Sequence, residues 1–198
     1  MSLDASRAPR LLIVPGLHDS GLSHWQSWLQ SHYRHSVRVV QRDWNDPDLE
    51  RWSARIGATL DRAGPGPWIA AAHSFGCLAL VRHLADRPES PLRAALLVAP
   101  AEPDRFGLAE ALPQRGHRQC ALLVGSQTDP WMSAASARAW ATRWGAHWIN
   151  LGDAGHINAE SGFGPLPLAR RWVIAMQQRF AHEARPARAG VAEWSFAV

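Results

Sequence analysis

The sequence predicts an α/β domain: a doubly wound, six-stranded, mostly parallel sheet with helices on both faces. Short apolar runs recur along the chain and end in glycine, proline or serine, as buried strands do. Between them, apolar residues fall at helical spacing, as in Leu49, Trp52, Ile56 and Leu60. Strands that alternate with helices pair in parallel, because the helix supplies the crossover that parallel neighbours need.

Taken in order, Arg10 to Pro15 is the first apolar run and ends in Pro-Gly. Ser23 is placed to cap a helix over His24 to Tyr33. Val37 to Gln41 reads as a short second strand, and Asp48 opens the helix that carries Leu49 to Leu60. Gly64-Pro65-Gly66-Pro67 is a hard break before the third strand, Trp68 to Ala72, with Ser74 close behind it. A helix over Phe75 to Ala85, a strand over Arg93 to Ala99 and a strand over Cys120 to Gly125 follow. Ser133 caps a helix reaching Trp144, His147 to Leu151 is the sixth strand, and Leu166 to His182 closes the fold. The longest irregular stretch, Ala101 to Gln119, is expected to flank the functional site.

A chain of 198 residues is expected to form one domain, 1–198, with about 183–198 as a loosely held tail in which Trp194 and Phe196 are placed to dock. No apolar run reaches the ~20 residues of a membrane span. Asp4, Arg7 and Pro9 break the apolar stretch that a signal peptide would need, so a cytoplasmic location is expected. Cys77 and Cys120 read as free buried thiols.

All 21 basic residues are arginine. A lysine Schiff base and a Ser–Lys dyad are therefore excluded. So is a Walker lysine: Gly16 to Gly21 has glycine spacing like a P-loop, but Leu22 stands where the lysine belongs. The arginine bias fits GC-rich coding and a bacterial source. The net charge is +4, yet the arginines are scattered rather than drawn into a stripe, so no nucleic-acid partner is expected. Neither a His-Glu-x-x-His motif nor paired cysteines nor a dinucleotide glycine pattern occurs, so no metal or other cofactor is expected.

Three motifs carry the chemistry: Ala72-His73-Ser74-Phe75-Gly76, Ser126-Gln127-Thr128-Asp129-Pro130 and Gly155-His156. Each lies where a strand ends, and serine, then aspartate, then histidine is the chain order of an α/β-hydrolase triad. Ser74 sits at a strand-to-helix turn whose tightness demands small residues two positions to either side, here Ala72 and Gly76. Taken alone, Ser74 could merely cap a helix and Asp129-Pro130 could be an ordinary turn. Asp104 and Asp153 are rival acids. His156 is set apart from the other histidines by its loop after the last strand. The oxyanion donors are expected to be the backbone N–H of Phe75 and that of Leu17, with His18 as the alternative to Leu17. His18 and Trp131 are candidate substrate-lining residues. His73 is expected to point away from the Ser74 hydroxyl.

With these motifs placed, the chain resembles the small α/β-hydrolases similar to retinoblastoma-binding protein 9. The likeness runs from about Leu11 to Trp172. It rests on the three motifs and on Pro15-Gly16, His24-Trp25, Gln41-Arg42-Asp43-Trp44 with Pro47, Leu97-Val98-Ala99-Pro100-Ala101, Trp144-Gly145 and Ile157-Asn158-Ala159-Glu160-Ser161-Gly162. The resemblance implies a six-stranded parallel sheet, a triad of Ser74, Asp129 and His156, and no large cap domain. In Gly164-Pro165-Leu166-Pro167, relatives tend to carry tryptophan in place of Leu166, which is expected to alter the pocket rim.

Two functions follow. The first is a serine hydrolase that cleaves carboxylic ester, thioester or amide bonds of small or exposed acyl substrates through an acyl-enzyme. The second is a weakly catalytic or non-catalytic interaction module that keeps the fold and binds a protein partner. An intact triad favours the first, because a scaffold has no physical need for all three groups. Oligomeric state is not written in the sequence.

Overall fold

The computed structural model describes residues 8–116 and 118–183. The expected tail, with Trp194 and Phe196, lies outside the described residues. Six strands form one sheet: β1 (Arg10–Val14), β2 (Val37–Arg38), β3 (Trp68–Ser74), β4 (Leu92–Pro100), β5 (Cys120–Gly125) and β6 (His147–Asn150). Their order is β2-β1-β3-β4-β5-β6, and every neighbouring pair is parallel. Among the described residues, five α-helices connect or follow them: α1 (Trp25–Ser31), α2 (Leu49–Ala63), α3 (Phe75–Asp86), α4 (Ala134–Trp144) and α5 (Pro167–Glu183).

Strand side chains alternate between faces, and this chain exploits the alternation on both sides. Leu12, Val14, Ala70 and Leu97 pack with Trp52, Leu78 and Trp140 of α2, α3 and α4. Leu11, Ile13, Ile69 and Leu96 pack with Trp25, Trp172 and Val173 of α1 and α5. The central strands β1, β3 and β4 are thus buried on both faces, which is why they read as continuous apolar runs.

Two local expectations change. The N-cap of α1 is His24 rather than Ser23: its Nδ1 accepts the Gln26 N–H, leaving no vacancy for the serine hydroxyl. The second strand shrinks to two residues, Leu12 pairing with Val37 and Ile13 with Arg38, and the edge ends on one last bond from the Val39 N–H to the Ile13 carbonyl at 2.9 Å.

The chain leaves β1 for one side of the sheet and β3 for the other, so a crevice opens between their carboxyl ends, where open α/β sheets bind ligands. Gln26 closes its floor. Its side-chain amide donates to the carbonyls of Val14 (3.0 Å) and Ala71 (2.9 Å), and its own oxygen accepts from Ser20. No helix among the described residues is long and apolar enough to cross a membrane. Among the described residues no large cap covers the crevice; those between Ala101 and Gln119 contribute two 3-10 turns, Pro103–Phe106 and Ala109–Ala111.

Candidate active site

β3 runs directly into α3 at Ser74, whose φ of 53° and ψ of −126° lie in a region L-residues rarely occupy. Such a conformation costs about 1–3 kcal/mol and persists only where packing enforces it. Here the packing is visible. A Cβ on Gly76 would collide with the carbonyl oxygens of Val14 and Pro15, and one on Gly16 would come within 2.7 Å of the Ser74 Cβ. The β3–β4 register also slips between His73 and Ser74, opposite the left-handed Ala99. Ser74 makes no side-chain capping bond to α3, so its hydroxyl is not spent as a cap.

That hydroxyl lies 3.0 Å from Nε2 of His156, and His156 Nδ1 lies 2.9 and 3.0 Å from the two oxygens of Asp129. A carboxylate only accepts, so Nδ1 carries the ring proton and Nε2 presents its lone pair to the serine. The Asp129 and His156 side chains are 2% and 8% exposed, so little water competes for either bond. The rival acids are placed elsewhere. Asp153 accepts from Thr128 Oγ1 at 2.7 Å, and Asp104 belongs to the first 3-10 turn.

The loops bearing Asp129 and His156 are tied together by Ser126 and Thr128, to which the sequence motif gave no role of their own. Ser126 Oγ accepts the N–H groups of Thr128 (3.2 Å) and Ala154 (3.1 Å) and donates to the Gly152 carbonyl (3.0 Å). Thr128 Oγ1 accepts the Gly155 N–H at 3.0 Å. A hydroxyl two residues ahead of a loop N–H is a recognisable local turn, so the Ser126–Thr128 part was visible in principle.

Phe75 is the first residue of α3, and its N–H has no partner within the helix. Gly16 brings the loop after β1 against Ser74, with Leu17 next in line. The alternative donor, His18, drops out: its N–H is held by the Trp44 carbonyl at 3.0 Å. A cavity of about 400 Å³ opens over Ser74, walled by Leu17, His18, Ala101, Phe106, Trp131 and Glu160 among others. Both residues named as lining candidates thus reach it. Trp131 is 45% exposed, and its ring centroid lies 6.2 Å from that of His156. The stretch after β4 does flank the site, through Ala101 and Phe106. Leu166 itself is buried in the α1–α5 core cluster and is not among the residues that line the cavity.

The serine hydrolase family model matches residues 11–175 of the chain. The chain belongs to the serine hydrolase family. This hydrolase is similar to a protein from Pectobacterium atrosepticum assigned as a YdeN-like hydrolase: 35% identity, 91% of this chain and 95% of that chain covered, TM-score 0.81. The ydeN gene product of Bacillus subtilis is 20% identical over 85% of this chain and 98% of its own, with a TM-score of 0.69. The carboxylesterase CesB from Bacillus subtilis shares the fold at 14% identity, with 85% and 83% coverage and a TM-score of 0.62. No curated protein matches the chain.

Two further histidines of the hydrolase, His24 and His73, line the cavity, and neither was expected there from sequence. His73 is buried and its Nε2 lies 3.0 Å from the backbone carbonyl of His156. Burial holds its imidazole well below the ordinary value, with the charge of His156 acting the same way. His24 is lowered to about 4, by burial first and then by Arg38 and His156. Both are therefore neutral near pH 7. Among the described residues, no group of three or more His, Cys, Asp or Glu could hold a metal ion. The two thiols are free, Cys77 buried and Cys120 half-buried.

Proposed function

We propose that this serine hydrolase is a carboxylic-ester hydrolase that acts on small or exposed acyl substrates through an acyl-enzyme. The reading is carried by one observation: an unbroken line of hydrogen-bonding contacts from Asp129 through His156 to a serine in a strained turn. In this reading His156 Nε2 takes the Ser74 proton as Oγ attacks the acyl carbonyl. Asp129 holds the tautomer and stabilises the imidazolium. The backbone N–H groups of Phe75 and Leu17 receive the oxyanion, and His156 returns the proton to the leaving group. Water, activated by the same imidazole, then releases the acid and restores Ser74. That no large cap stands over the crevice among the described residues supports small or exposed acyl groups, and the cavity of about 400 Å³ is the space they would fill. Within the family, the motifs from Pro15-Gly16 to Ser161-Gly162 support a kinship with the small hydrolases similar to retinoblastoma-binding protein 9.

The test is labelling with a fluorophosphonate, followed by mass spectrometry of the adduct and a screen of aryl and alkyl esters, thioesters and amides. An adduct on Ser74 that is lost in Ser74→Ala, with ester turnover lost in parallel, is the expected result. A folded protein that takes no adduct and turns over none of these would return the reading to an interaction module.

A further inference from the structure

We propose that His73 is a positioning residue: its Nε2–H holds the backbone of His156 and thereby sets the distance between base and nucleophile. The inference rests on the triad reading above. His156 is carried by a loop, not by a strand or helix, and lies between two left-handed residues, Gly155 (φ 52°) and Ile157 (φ 48°). Backbone of this kind is not held by regular ladder bonds. Instead, side chains hold both of its main-chain polar groups. The His156 N–H donates to Ser161 Oγ at 3.2 Å, and the His156 carbonyl accepts from His73 Nε2 at 3.0 Å. Ser161 is itself fixed locally, since its hydroxyl and its N–H both donate to Asn158 Oδ1 at 3.0 Å.

The two holds differ in reach. Ser161 ties the loop to itself. His73 ties it to β3, and His73 is the residue next to Ser74. One stiff dipeptide therefore carries the nucleophile and, on the adjacent side chain, the tether of the base. A carbonyl can only accept, so the His73 donor is Nε2–H. Burial keeps that ring neutral, so the donor does not change with protonation near pH 7. The ring is also held in place. It packs edge-on against His24 with centroids 4.7 Å apart and lies 4.8 Å from the His156 ring. Asp129 orients the imidazole about its own axis, whereas His73 places the backbone from which the imidazole hangs. Misplacement of a reacting group by about 1 Å can cost about 100-fold in rate.

The experiment compares His73→Met, which keeps bulk and loses the donor, with His73→Gln, whose amide N–H falls near the Nε2 position. Steady-state ester kinetics are read beside the low-field proton resonance of the His156 Nδ1–H facing Asp129. The expected result is a kcat lower by about 10–100-fold in His73→Met with KM unchanged, near-native kcat in His73→Gln, and a displaced resonance in the first variant alone. If His73→Met does not fold, His73→Asn, which is too short to reach the carbonyl, takes its place with the same expectation. Equal impairment of the donor and donor-less variants would reduce His73 to packing and overturn the proposal. So would a native kcat and a native resonance in folded His73→Met. If the wild type hydrolyses no ester, the triad reading fails on its own, and the resonance comparison still decides the tether.

Discussion

His156 Nδ1 stands almost equally far, 2.9 and 3.0 Å, from the two oxygens of the Asp129 carboxylate. One proton is shared across a buried carboxylate, so the ring can take only one tautomer. Asp129→Asn offers a donor face to that nitrogen and favours the wrong tautomer. We expect kcat to fall by about 10³–10⁴-fold with the fold intact, as checked by ester kinetics beside circular dichroism.

Ser74 is strained, and the strain belongs to the backbone rather than to the hydroxyl. Ser74→Gly and Ser74→Ala both remove the nucleophile, yet only glycine relaxes a φ of 53° with a ψ of −126°. We expect both variants to be inactive, with Ser74→Gly the more stable by about 1 kcal/mol. That corresponds to a Tm higher by roughly 2–4 °C in thermal unfolding. Equal Tm values would argue against stored strain.

Gly76 lies against the end of β1. Gly76→Ala must push its methyl into the carbonyls of Val14 and Pro15. Overpacking of this kind costs about 2 kcal/mol, and we expect a Tm lower by roughly 4–8 °C. Calorimetry would show it directly.

Ser126 satisfies two N–H groups and one carbonyl across two loops. Ser126→Ala leaves them without that partner, at a cost of about 1–3 kcal/mol. Because the same hydroxyl fixes the Asp129 loop against the His156 loop, turnover should also slow. A urea titration and a kcat measurement on the same preparation test both parts.

Stability should weaken in mild acid. Burial, followed by the charge of Arg87, lowers His83 from 6.5 to about 4. His24 is lowered to about 4 as well. Below 6.5 the unfolded chain takes up protons that the folded chain refuses, so stability is complete above that pH and declines as pH falls toward 4. His83 lies on α3 with its Nε2 3.0 Å from Ser90 Oγ, and it does not line the cavity. Urea midpoints at pH 7 and pH 5 should therefore differ less in His83→Gln than in the wild type, with fluorophosphonate labelling of Ser74 at pH 7 unchanged.

The sheet was legible because β1, β3, β4 and β5 are apolar on both faces, so burial wrote itself into consecutive residues. β2 was overestimated because Val39 and Gln41 are buried as strand residues would be, yet the contact with β1 ends at the Val39 N–H. The α1 cap was misread because histidine, through Nδ1, took a role that composition assigns to serine. Ser74, Asp129 and His156 could be picked out because each follows a strand end, and strand ends are what sequence patterns locate best. The residues around them could not. His73 meets His156 across 83 positions and Thr128 meets Asp153 across 25, and nothing in local sequence pattern reports such pairings. The expectation that His73 points away from the serine hydroxyl gave no hint of where it goes instead.

The stitching of the Asp129 and His156 loops by Ser126 and Thr128 has a bearing on engineering and on divergence. Neither loop is an independent unit of exchange. A chimera that imports one without the other would leave Gly152, Ala154 and Gly155 facing a stranger's side chains. A graft that moves both together, hydroxyls included, carries its own wiring. New specificities in this scaffold are therefore more readily recruited from the stretch that begins at Ala101, which meets the Asp129 loop through Arg105 and the Pro130 carbonyl and can be redrawn without cutting the Ser126–Thr128 joint.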